Sequence, residues 1–80
     1  MAPLPDHPDS LLTRRAAAAA LTAAGYPTSS ATLATLASRS GGPIYRHYGA
    51  RVVYRWAELL DWAQSRLSAP MRSTSEADAA

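Results

Sequence analysis

The chain has no cysteine and no lysine, only four glycines in 80 residues, and no acidic residue between positions 10 and 57. The first absence excludes disulfides and a thiolate nucleophile. It also leaves His7 and His47 as the only imidazoles, too few and too distant for a zinc site, so neither a metal nor a cofactor is expected. No nucleophile and base pair, glycine-rich phosphate loop or paired-carboxylate arrangement stands out, which argues against an enzyme. Long apolar runs are missing as well. The alanine-rich stretch 16–24 is interrupted by Thr22 and is far shorter than the roughly 20 residues that cross a bilayer. With no basic-then-apolar leader at the N-terminus, the expectation is a cytoplasmic protein that does not engage a membrane.

The missing acids matter because of where the arginines fall. Arg14, Arg15, Arg39, Arg46, Arg51 and Arg55 lie inside the acid-free window, while Asp6 and Asp9 precede it and Glu58, Asp61, Glu76 and Asp78 follow it. The net charge is only +2, yet this distribution predicts a strongly basic face and a more acidic back, for which a polyanion is the natural partner.

Residues 1–9 hold three prolines and are expected to be a flexible segment, and residues 68–80 are rich in Ser, Ala, Asp and Glu and read as a disordered tail. The folded domain is expected to span 10–67. A domain of that size buries only about 60% of the surface its unfolded chain exposes, so its stability is marginal and a deep catalytic pocket has little room.

Four elements can be read from pattern. Thr13 is a good N-cap for a first helix whose Ala17, Ala20, Leu21 and Ala24 fall at i, i+3, i+4 and i+7, and Gly25 should end it. Tyr26 and Pro27 then force an extended turn. Ser29 caps a second helix reaching about Ser38, with Leu33, Leu36 and Ala37 inward and Ser30, Ala31, Ala34, Thr35 and Ser38 outward. Gly41, Gly42 and Pro43 break it, and alternating residues follow on either side of Gly49 and Ala50, predicting a two-stranded ribbon that carries Arg46, Arg51 and Arg55. The third helix begins near Trp56 and places Trp56, Leu59, Leu60, Ala63 and Leu67 on one stripe, with Trp62 on its flank. Tyr45 and Tyr54 are expected as core staples between ribbon and helices, and Glu58 and Asp61 as a solvated acidic face. The fold class is therefore α+β, mostly α, with three helices and a two-stranded hairpin.

In this order the elements resemble the excisionase and MerR-like winged helix-turn-helix families, and in particular recombination directionality factors. The resemblance covers residues 12–67. It rests on Leu12, Thr13, Arg14 and Arg15 before the alanines, Ser-x-x-Thr-Leu at Ser29 to Leu33, and Gly42-Pro43-x-Tyr45. Gly49-x-Arg51-Val52-x-Tyr54-Arg55 and Leu59-x-x-Trp62 complete it. It implies that the second helix enters the major groove of double-stranded DNA through Ser29, Ser30, Ala31, Thr32, Ala34, Thr35 and Arg39. The wing residues Arg46, His47 and Arg51 would then meet phosphates or the adjacent minor groove, and Arg14 and Arg15, with Thr13 at a helix N-terminus where positive charge is unfavourable, are expected on the DNA backbone.

The sequence departs from that pattern in two places. Ala34 and Thr35 stand where a basic residue usually projects from the recognition helix, and Ala16 replaces an acidic residue in the first helix. Before Arg39 no side chain on the second helix can read guanine through two hydrogen bonds, so one copy should have modest specificity. The implied function is an architectural protein of the nucleoid that binds and bends tandem sites near an attachment site, steering a site-specific tyrosine integrase toward excision, with self-association along the DNA. A small transcriptional regulator of a mobile element, or a winged-helix module that binds protein instead of DNA, are the alternatives.

Overall fold

The computed structural model describes residues 4–72, so the last eight residues of the expected tail lie outside the described residues. The described residues form three helices and a three-stranded antiparallel sheet; the first and third helices pack on the sheet, and the second packs on the first. The elements run β1 (Leu11–Thr13), α1 (Arg14–Ala23), α2 (Ser30–Arg39), β2 (Arg46–Tyr48), β3 (Arg51–Arg55) and α3 (Trp56–Ser65).

The local signals act as their chemistry requires. Thr13 has extended backbone and its Oγ1 accepts the Ala16 amide at 3.2 Å, satisfying one of the unpaired donors that open α1. The helix closes in a Schellman turn: Gly25 donates to the Thr22 carbonyl and Tyr26 to the Leu21 carbonyl, around a glycine at φ 103°. Thr22 then ties the inter-helix turn, its hydroxyl accepting the Thr28 amide at 3.2 Å and donating to the Ala18 carbonyl at 2.9 Å. Ser29 caps α2 through the Thr32 amide, and Ser40 ends it in the left-handed region at φ 60°.

Alanine sets the geometry of the core. Ala17, Ala18, Ala20 and Leu21 of α1 are buried together with Leu33 of α2, Tyr54 of β3, and Trp56, Leu59 and Ala63 of α3. Four fully buried side chains, Tyr54, Leu21, Leu33 and Leu59, supply most of the bulk, and the small α1 residues let α2 and α3 approach it closely. Leu36 and Ala37 are only half-buried.

Strand β1 is the element that pattern reading does not reach. Its three residues have no alternation of their own, and they become a strand because β3 pairs with them, Leu12 opposite Tyr54 and Thr13 opposite Val53. The sheet order is β1-β3-β2, so the hairpin is extended by an edge strand that immediately precedes α1.

Other expectations change. Residues 7–9 take part in the fold: the Ala57 amide donates to the Pro8 carbonyl, Ser10 donates to His7, and Arg55 binds Asp9. The boundary drawn at residue 10 therefore falls inside a bonded segment. Leu67 is 64% exposed, because α3 ends at Ser65 and the stripe does not extend to it. Tyr45 is exposed as well, packing only its ring against the buried Tyr54 at 6.1 Å between centroids, so one of the two expected staples is a cover. No helix among the described residues is long and apolar enough to cross a membrane.

Candidate nucleic-acid interface

The arginines of the acid-free window fall into three groups by what holds them. Arg46 grips Glu58 at two points, Nη1 to Oε1 at 2.5 Å and Nη2 to Oε2 at 3.1 Å, joining β2 to α3. These hydrogen bonds hold the Glu58 carboxyl below the ordinary carboxylate range and raise the Arg46 guanidinium. Arg55 grips the Asp9 carboxylate, its Nε donating to Oδ1 at 2.9 Å. Both pairs join the basic window to acids on either side of it in sequence, so the expected separation into a basic face and an acidic back is incomplete. Glu58 is engaged by Arg46, leaving Asp61 exposed on that side of α3.

Arg14 is held differently. Its Nε donates to the hydroxyl of Tyr54 at 3.1 Å, a neutral partner forty residues away. Arg15, Arg39 and Arg51 form no ion pair among the described residues, and Arg66 lies over the Trp62 ring at 5.1 Å from its centroid.

Pairing register decides which of these meet. Thr13 lies opposite Val53, so the start of α1 is pinned beside β3, two positions from Arg51. The result is an open cleft of about 370 Å³ lined by Thr13, Arg14, Arg15, Ala50, Arg51 and Val52. No acidic residue lines it. Four expected backbone-contact residues, from two segments far apart in sequence, are thus brought together.

The rest of the expected wing set is not. Arg46 and Arg51 share a sheet face, being opposite Val53 and Tyr48, whereas His47 is opposite Val52 and belongs to the other face. There its ring meets Tyr45 edge-on at 5.8 Å. Tyr48 is 76% exposed at the turn.

On α2 the hydroxyls divide similarly. Ser29 accepts the Thr32 amide at 3.1 Å and its hydroxyl lies 2.9 Å from that of Thr32, so these two side chains are engaged in capping the helix. Ser30, Ala31, Thr35 and Arg39 are exposed, while Ala34 is half-buried. The α2 residues contribute nothing to the lining of the arginine cleft.

Tyr54 is the functional candidate that sequence reading assigned only to the core. Its alternation with Val52 marks it as inward, but nothing in the local sequence signals that its hydroxyl reaches Arg14. Among the described residues no cluster of three His, Cys, Asp or Glu side chains is placed to hold a metal ion. Comparison with family models, with curated proteins and with solved structures yields no match for this chain.

Proposed function

We propose that the chain is a winged helix-turn-helix DNA-binding protein of the excisionase kind. In this reading α2 lies in the major groove, the β2–β3 hairpin is the wing, and the protein assembles in tandem near an attachment site to direct a site-specific integrase toward excision. The observation that carries the reading is the convergence of Arg14, Arg15 and Arg51 on one cleft with no carboxylate in its lining. Three like charges held together are unfavourable in isolation and become favourable against a phosphate backbone. The exposed Ser30, Ala31 and Thr35 suit a groove, offering hydroxyls to base edges or phosphates and a methyl to thymine.

Neutral side chains on α2 give one copy a weak reading helix, so specificity comes from several copies side by side and from the deformability of the DNA they bend. The test is a mobility-shift titration of the full chain on duplexes taken from the DNA flanking its own gene, followed by footprinting and an excision assay with any site-specific integrase encoded beside it. Salt-sensitive, stepwise shifts and stimulated excision are expected. Absence of duplex binding at low salt rejects the reading, and binding without any effect on excision moves it to a transcriptional role.

A further inference from the structure

We propose that Tyr54 is a positioning residue, and that its buried hydroxyl orients Arg14 so that Arg14, Arg15 and Arg51 form a preorganised site for a single phosphate group. The source expected is a phosphodiester of the DNA backbone, and to that extent the inference rests on the reading above.

The contrast among the arginines is what points to this site. Arg46 and Arg55 are oriented by carboxylates, which fix the guanidinium and also cancel its charge. Arg14 is oriented by a phenol, which accepts from Nε and leaves the full positive charge, with the remaining N–H donors unused by any other side chain among the described residues. Tyr54 is 0% exposed, so its ring is fixed by the core and its hydroxyl is a rigid reference point.

Two further features would be costs without an anion. Arg14 and Arg15 occupy the first two positions of α1, where the helix dipole disfavours cations, and no acidic residue sits in that turn to offset them. Arg51 adds a third charge from across the sheet. A phosphate in the cleft relieves the mutual repulsion and the dipole penalty together, and the planar forks of the arginines suit its oxygens. Holding Arg14 in advance reduces the ordering cost that a long side chain otherwise incurs on binding.

The test uses the full chain with two probes, a 20-base-pair duplex and inorganic phosphate, and compares wild type with Tyr54→Phe, Arg14→Lys and Arg51→Ala. Tyr54→Phe and Arg14→Lys keep every charge, so the salt dependence of duplex affinity should stay as in wild type. Affinity should nonetheless fall roughly tenfold, the scale of one charge-assisted contact. Arg51→Ala removes one of the three charges that meet that phosphate and should lower affinity for every duplex at low salt. In NMR spectra, inorganic phosphate should move the Arg14, Arg15 and Arg51 Nε–H signals more than those of Arg39 and Arg66. Wild-type duplex affinity in folded Tyr54→Phe and in Arg14→Lys would overturn the positioning role, as would equal phosphate shifts at all arginines. Should wild type bind no duplex yet show the selective shifts, the DNA reading fails while the site stands, its ligand then being a free phosphate group.

Discussion

Arg46 of β2 and Glu58 of α3 form a two-point ion pair that holds the outer strand of the hairpin against the third helix. Because Glu58 titrates below its ordinary range in the fold, the pair contributes stability that is fully present above the unfolded carboxylate pKa of about 4.3 and is lost as pH falls through the lower folded value. Glu58→Gln should therefore be less stable than wild type at pH 7. The difference should close in strong acid, as measured by thermal melts across a pH series. A constant difference at all pH values would show that the pair is not what Glu58 contributes.

On the proposed DNA-binding reading, the same pair ranks the arginines. With Arg46 and Arg55 already neutralised, Arg14, Arg15, Arg39 and Arg51 are the cations expected on phosphate; three of them on one phosphate and Arg39 on a second predict a slope of log K against log salt of about −1.8. Arg51→Ala should weaken binding to every duplex more than Arg46→Ala does, while Arg46→Ala should cost more in melting temperature. Parallel titrations and melts of the two variants decide this.

Gly42 sits where a side chain does not fit. A Cβ there would lie 2.8 Å from the Cβ of Leu36, an atom of α2 that cannot swing away. At Gly41 the nearest atom is the Leu36 Cδ2 at 3.9 Å, an ordinary contact. Gly42→Ala should cost about 1–3 kcal/mol by overpacking, and Gly41→Ala should be close to neutral, read from denaturant midpoints.

The cap of α2 lets stability be tested apart from the proposed recognition. Ser29→Ala removes the acceptor of the Thr32 amide and should cost about 1 kcal/mol. The exposed Ser30 can be changed to alanine with little loss of stability. Thr35→Ala should alter sequence preference among duplexes more than overall affinity, and a selection from randomised sites compares it with wild type. Equal losses on every sequence would remove Thr35 from the groove.

Much of this molecule is local chemistry, and that part is legible in sequence. Thr13, Gly25 and Ser29 act within four residues of themselves, through caps and a left-handed turn, so the limits of α1 and the start of α2 follow from residue type. The alanine and leucine stripes identify the buried faces because helical period is a property of the backbone alone. The hairpin follows from alternation around Gly49, whose φ of 62° suits glycine.

What only the tertiary structure decides is which distant residues meet. Strand β1 exists through its pairing with β3 and has no periodic signal of its own. That pairing places Arg14 and Arg15 beside Arg51, and the Tyr54 hydroxyl accepts from Arg14. Packing of α3 against the hairpin gives Arg46 to Glu58, and the N-terminal segment gives Arg55 to Asp9. Sequence therefore determined how many positive charges the chain carries and on which elements. The fold alone decided which are neutralised by a carboxylate and which remain available, because a side chain's partner depends on distance in space and Coulomb attraction, not on separation along the chain.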